Sequence, residues 1–226
     1  MKQDALILVR GGGDLATGTI HRLWSAGLRV LVLETAHPAA IRRQVSLCEA
    51  VYEGETTVEG LRAVRINTLE QAPTVWAQNA VPVLIDPAGS CVAQAKPEVL
   101  VDAIREGAAI PNTGIPGVIG GYGKERVIHA QTEGIFQDVR KIGDLVEAGE
   151  IIAQIRTSEG KSFPVTTQIG GILRGLLRSG YPVTPGFKVA DVDPRREELS
   201  NCFLISDKSR CIAGSVLELV CAQLWN

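Results

Sequence analysis

Three consecutive glycines, Gly11, Gly12 and Gly13, stand between a short apolar run and a segment with helical spacing. Together with Ala16 they form a G-x-G-x-x-A pattern, in which a backbone without side chains can approach a phosphate at a helix N-terminus. Glu34 follows the next apolar run, where an acidic residue would meet a ribose hydroxyl. The pattern indicates a nucleotide site. The alternative is a tight strand-to-helix turn that binds nothing.

Asp14 adds a negative charge at the start of this helix, where the helix dipole favours it but a phosphate does not. Two unit charges about 5 Å apart at an effective dielectric of about 20 repel by about 3 kcal/mol. The side chain either turns away, or the ligand brings a cation, or the ligand is less anionic than a diphosphate. Arg10, His21 and Arg22 would offset the charge if they faced the turn.

Other chemical motifs are missing from the sequence. Gly123-Lys124 is followed by Glu125 and has Val118 in place of the first glycine of a P-loop. The five cysteines have no metal-ligand spacing, and the three histidines are isolated. We therefore predict no metal site and identify no catalytic residue.

The elements around the glycines predict an α/β domain. The run 5–9 is typical of a strand covered on both faces, helical spacing continues until Gly27, and a second covered strand is expected over 29–34. Strand, turn, helix and strand make a βαβ unit. We predict a Rossmann-like α/β domain over residues 1–125.

An internal repeat follows this domain. Residues 134–155 and 171–192 superpose without a gap at an offset of 37, with matching glycine and apolar positions. The pattern resembles the halves of biotinyl and lipoyl domains, and predicts an all-β barrel-sandwich-hybrid module over 126–194. Lys161 lies on the joining turn without Met-Lys-Met flanks, so neither biotin nor lipoate is expected.

The C-terminal segment 195–226 is predicted to return to the α/β domain. Residues 203–205 indicate a strand, and Ser206 caps a helix with one apolar face.

The amino-acid composition limits the kinds of partner and the cellular compartment to be expected. The chain of 226 residues carries 23 basic and 25 acidic side chains, a formal net charge of −2. This balance excludes a strongly basic nucleic-acid surface, and no apolar run is long enough for a membrane span. The scattered cysteines and the absence of a signal-peptide pattern favour reduced thiols in the cytoplasm.

Several strings together resemble a known family: RGGGDLATGTIHRLWSAG, PNTGIPGVIGGYGKERV, KVADVDPR and ISDKSRCIAGSVLE. They are similar to the YqeB-type accessory protein of the selenium-dependent molybdenum hydroxylase system, related in role to xanthine dehydrogenase maturation factors. The resemblance implies an accessory or maturation protein, with an apo-molybdenum hydroxylase or its maturation machinery as partner and a molybdopterin-type cofactor or a dinucleotide as ligand. Homo-oligomerisation stays open.

The ligand contacts expected under this hypothesis include the glycine turn. They are Gly11, Gly12, Gly13, Asp14, Thr17, Glu34, Asn112, Thr113, Asp193 and Arg195. For Asp193 and Arg195, which come from the resemblance, a salt-bridged domain junction is the alternative. The chain departs from the family near 104–107, where a glycine-rich stretch is either absent or omitted from the sequence. An NAD(P)-dependent oxidoreductase is the second hypothesis, although no proton donor for it is evident.

Overall fold

The computed structural model describes residues 5–103 and 117–225, and these divide into two units. The first contains 5–38, 45–103 and 203–225, and the second contains 39–44 and 117–202. No helix within these described ranges is long and apolar enough to cross a membrane.

A six-stranded sheet forms the centre of the first unit. Its strands are β1 (Leu6–Arg10), β2 (Arg29–Glu34), β3 (Glu55–Val58), β4 (Leu61–Ile66), β5 (Val81–Ile85) and β6 (Val99–Asp102). The spatial order is β3-β4-β5-β2-β1-β6. All neighbouring pairs are parallel except β3 with β4, which form an antiparallel hairpin at one edge.

Helices cover both faces of this sheet. They are α1 (Asp14–Ser25), α2 (Ala50–Glu53), α3 (Ala72–Ala77), α4 (Val92–Ala95) and α5 (Asp207–Trp225). One core joins alternate residues of β1 and β2 to α1 and α5, while the other joins the intervening residues to α3 and α4. Burial on both faces explains why β1 and β2 are continuous apolar runs.

Helices α1 and α5 pack closely because Gly18 has no side chain. A Cβ built on Gly18 would lie 2.1 Å from Ser209 Oγ, and that hydroxyl donates a hydrogen bond of 2.8 Å to the Leu15 carbonyl. Glu59, in the β3–β4 turn, accepts from Ile205 N–H at 2.7 Å and from Arg210. These contacts hold the start of α5 on the first unit.

The second unit contains two four-stranded sheets. Its strands are β7 (Val127–His129), β8 (Gly134–Asp138), β9 (Leu145–Val146), β10 (Ile151–Arg156), β11 (Ser162–Thr166), β12 (Gly171–Leu176), β13 (Pro182–Val183) and β14 (Lys188–Asp193). The sheet orders are β11-β10-β8-β13 and β7-β14-β12-β9. One apolar core lies among them.

The 37-residue offset relates six of these strands. It carries β9 and β10 onto the bounds of β13 and β14, and β8 onto the first five residues of β12. Each copy also lends its short middle strand to the other: β13 pairs with β8, and β9 pairs with β12. The pairs Leu145–Ile172 and Pro182–Ile135 are images of one another under the offset, so the exchange is symmetric.

The predicted fold class is wrong in three respects. The five parallel strands are β1, β2, β4, β5 and β6. Numbered 1 to 5 in chain order, they lie in the spatial order 3-4-2-1-5, whereas the strands of the dinucleotide-binding fold lie in the order 3-2-1-4-5-6. The second unit is not the biotinyl or lipoyl arrangement, because an additional strand, β11, separates the copies and Lys161 pairs with Glu159 in its turn.

The third error is the C-terminal strand. Residues 203–205 form no strand, because Ile205 N–H donates to the Glu59 carboxylate instead of to a neighbouring strand. Ser206 does cap α5, since its Oγ accepts from Ser209 N–H at 3.2 Å.

Candidate functional site

The glycine turn lies at the carboxyl end of β1, beside the N-terminus of α1. Gly11 has φ +96°, a conformation that side-chain-bearing residues rarely adopt, and its N–H donates to the Leu33 carbonyl at 2.8 Å. β1 has β2 on one side and β6 on the other. From β1 the chain crosses to β2 on one side, whereas β6, a later strand, lies on the other side. The carboxyl end of β1 is therefore a topological switch point, the place where ligands of open α/β sheets bind.

Gly12 is enclosed by protein atoms. Its N–H donates to Glu34 Oε2 at 2.7 Å, and its carbonyl accepts from Cys48 N–H at 2.8 Å. A Cβ on Gly12 would lie 3.0 Å from that same nitrogen. The fold therefore requires glycine here for packing, and Gly12 offers nothing to a ligand.

Gly13 is open. It is the N-cap residue of α1, with φ −66° and ψ 179°, and a Cβ built on it would have no atom within 4 Å. The first N–H groups of a helix have no carbonyl partner four residues earlier, and they carry the positive end of the helix dipole. Gly13 thus leaves free space beside a natural anion-binding position.

Glu34 and Thr17 hold the turn together. Glu34 is buried, and its second oxygen accepts from Thr35 N–H at 2.7 Å. Thr17 is fully buried, and its Oγ1 donates to the Gly13 carbonyl at 2.9 Å and accepts from Leu47 N–H at 3.0 Å. Both were expected to contact the ligand, but the structure uses their polar atoms within the protein.

Negative charge surrounds the turn. Burial raises the pKa of the Cys48 thiol well above its usual value, and the carboxylates of Glu34, Glu49 and Asp14 raise it further. The thiol is therefore protonated at neutral pH and is a poor nucleophile. The same carboxylates disfavour a polyphosphate that arrives without a cation.

The basic residues expected to offset this charge contact other groups or lie further along α1. Arg10 donates to Asp102 Oδ2 at 3.0 Å and to the Pro87 carbonyl at 3.0 Å. Arg22 lies in the last turn of α1, eight residues from Asp14 and therefore about 12 Å further along the helix. His21 contacts the Glu59 carbonyl at 3.2 Å.

The remaining predicted contacts lie elsewhere. Asn112 and Thr113 fall outside the described residues, as does the boundary near 104–107. Asp193 and Arg195 belong to the second unit, where they pair with each other: Arg195 donates to both carboxylate oxygens, at 3.0 and 2.8 Å.

Sequence reasoning missed Cys48 and Asp102 near the turn. Cys48 closes Gly12 from 36 positions away, and no local pattern signals that contact. Asp102 was detectable, because an acidic residue ending a strand next to β1 must lie at the same edge as Arg10. Among the described residues, no group of three or more His, Cys, Asp or Glu side chains is arranged to hold a metal ion.

Comparison with known proteins finds one similar curated sequence, and no family model matches. That relative is "Uncharacterized protein YqeB" of Escherichia coli strain K12, which is 36% identical over 258 residues that cover 94% of this chain and 47% of the relative. The chain spans about half the length of the curated relative it matches. The similarity to YqeB predicted from the motifs is therefore confirmed, and that name carries no statement about a hydroxylase.

Solved structures align with most of the chain at low similarity. They include the product-bound ectoine utilization protein EutE (DoeB) of Ruegeria pomeroyi, 12% identical with TM-score 0.33, covering 84% of this chain and 85% of that one. An aspartoacylase family protein of Mesorhizobium loti is 11% identical with TM-score 0.34, covering 84% of each chain. A succinylglutamate desuccinylase/aspartoacylase of Rhodobacter sphaeroides is 14% identical with TM-score 0.32, covering 84% and 85%. At these TM-scores none of them assigns a fold or an activity to this chain.

Proposed function

We propose that this chain is an accessory protein that holds a phosphate-bearing cofactor, of nucleotide or molybdopterin type, for a molybdenum hydroxylase. The observation that carries the binding proposal is the open space over Gly13 at the N-terminus of α1. The hydroxylase as partner rests on the motif resemblance alone.

The backbone supplies the binding groups in this proposal. The N–H groups of the first turn of α1 point out of its N-terminus, and the absent side chain of Gly13 lets a phosphate reach them. Glu34 and Thr17 keep these groups in position through their hydrogen bonds to Gly12 and Gly13. The turn is thus organised before a ligand arrives.

The charges select the ligand. Asp14 stands at the helix start, and Arg10 is already paired with Asp102. A bare diphosphate therefore meets a repulsion of about 3 kcal/mol from one carboxylate about 5 Å away, whereas a ligand with a divalent cation does not. Because the Cys48 thiol is protonated, these residues bind and orient a ligand and supply no nucleophile.

Calorimetry on two glycine variants tests the site. In Gly13→Ala the added methyl group meets no protein atom but occupies the space of the phosphate. We expect at least tenfold weaker binding of magnesium-ADP. Gly214→Ala is the matched control, because its Cβ is also unobstructed and lies on α5. Equal affinity of both variants would show that the turn is structural only.

The ligand carried by protein purified from its own host tests the functional role. A pterin or a nucleotide, identified by absorbance and by the mass of the released compound, supports the proposal. A dinucleotide that exchanges hydride with an added substrate would favour the oxidoreductase hypothesis instead. Protein without any bound ligand, and without affinity for an apo-hydroxylase, would contradict the accessory role.

A further inference from the structure

A bulge in β12 directs Arg174 out of the regular strand pattern of the second unit. Leu173 pairs with Val192 and Gly175 pairs with Asp191, so β12 has one more residue than β14 between these pairs. The extra residue is Arg174. Bulges of this kind re-aim a side chain and are frequent beside functional sites.

Arg174 is incompletely paired. Its Nη1 lies 3.8 Å from Asp193 Oδ2, and its buried Nε has no hydrogen-bond partner among the described residues. Asp193 is already bound by Arg195 through two hydrogen bonds. The side chain of Arg174 is 17% exposed, so its guanidinium group remains reachable from solvent.

Two further buried arginines lie nearby. Arg126 is 4% exposed and lies 3.6 Å from Asp191 Oδ1, while its other nitrogens donate to backbone carbonyls. Arg42 is 7% exposed and donates to the Asn201 carbonyl at 3.0 Å. Arginine is rarely buried to this degree unless it is paired.

Both carboxylates beside Arg174 already have another arginine partner. Burial raises the pKa of Asp191, whereas Lys188, Arg126, Arg174 and Arg42 act to lower it. Among the described residues, Asp191 lies 3.6 Å from Arg126 and Asp193 is bound by Arg195 at 2.8 Å, so neither carboxylate belongs to Arg174 alone. Buried charge of one sign is stabilised by a counter-charge.

We propose that the second unit binds a tetrahedral oxyanion at Arg174, either a free inorganic ion or the phosphate of a monoester. The planar guanidinium group offers paired N–H donors that match two oxygens of such an anion. This site lies wholly within the second unit and does not depend on the glycine turn of the proposed function.

Titration calorimetry of the full chain at low ionic strength, with inorganic phosphate, sulfate and adenosine monophosphate as probes, tests the proposal. We expect Arg174→Gln to weaken binding at least tenfold, because a charge-assisted pair of hydrogen bonds is lost. Arg196→Gln is the matched control, since Arg196 is 51% exposed and paired with Glu147. Preference for phosphate over adenosine monophosphate identifies a free ion, and the reverse identifies a monoester.

Two results would overturn the proposal. One is the absence of oxyanion binding by the parent chain up to about 10 mM, well above a millimolar dissociation constant. The other is equal binding by Arg174→Gln and Arg196→Gln when circular dichroism shows both to be folded. If Arg174→Gln does not fold, Arg174→Lys takes its place, with weakened but measurable binding expected because the charge stays and the paired donors are lost. Loss of ADP binding in Gly13→Ala with oxyanion binding intact separates the two sites.

Discussion

Replacing Gly18 by alanine should loosen the packing of α5 on α1. The new Cβ would lie 2.1 Å from Ser209 Oγ, 3.0 Å from Ser209 Cβ and 3.1 Å from Ile205 Cγ2. The serine must therefore rotate, and it loses its hydrogen bond of 2.8 Å to the Leu15 carbonyl.

The magnitude follows from three contributions. Overpacking costs about 1–3 kcal/mol, and the lost hydrogen bond costs about 1 kcal/mol. Alanine in place of glycine inside a helix returns about 1 kcal/mol. The free energy of unfolding should fall by about 1–3 kcal/mol, which lowers the melting temperature by about 2–4 °C per kcal/mol in a domain of this size.

Gly214→Ala provides the matched control on the opposing helix. Its Cβ would meet no atom within 4 Å, so only the helix-propensity gain of about 1 kcal/mol applies. The same chemical change should therefore destabilise at Gly18 and stabilise at Gly214.

Tryptophan fluorescence during urea unfolding measures both effects in the relevant unit. All three tryptophans, Trp24, Trp76 and Trp225, belong to the first unit, so their emission reports its unfolding and not that of the second unit. A Gly18→Ala protein as stable as the parent would refute the close packing of α1 and α5.

Two further predictions concern titratable groups. Iodoacetamide at pH 8 should alkylate the exposed Cys211 first and leave the buried Cys48 unmodified until urea is added. The reason is that burial and nearby carboxylates raise the pKa of the Cys48 thiol. Peptide mass spectrometry measures the modification, and reaction of Cys48 in the folded protein would contradict the prediction. Burial raises the pKa of Asp193, but hydrogen bonds from its arginine neighbour outweigh this and lower it overall. The stabilisation by Asp193 is therefore complete above the unfolded-state value, 3.8, and is lost as the pH falls through the lower folded-state value. In Asp193→Asn the melting temperature, followed by circular dichroism, should fall less steeply as the pH is lowered than in the parent. An equally steep fall in both proteins would contradict this role of Asp193.

Local patterns determined several elements of this protein. The continuous apolar run of β2 forms with the predicted bounds, since a strand buried on both faces needs no information from elsewhere. The helix after the glycines ends at Ser25, just before Gly27, and the six repeat strands fall at positions related by the 37-residue offset. In each case the glycines and the apolar spacing act within a few residues.

Tertiary contacts decided what those elements do. Glu34 has the position expected of a ribose ligand, but its carboxylate accepts from Gly12 N–H, 22 residues earlier in the chain. Ile205 ends a segment with the composition of a strand, yet its N–H donates a hydrogen bond to Glu59, 146 positions away. The charged groups around Arg174 likewise come from separate segments. A hydrogen bond or a charge pair depends on distance in space, which the strand order sets and a local pattern does not encode.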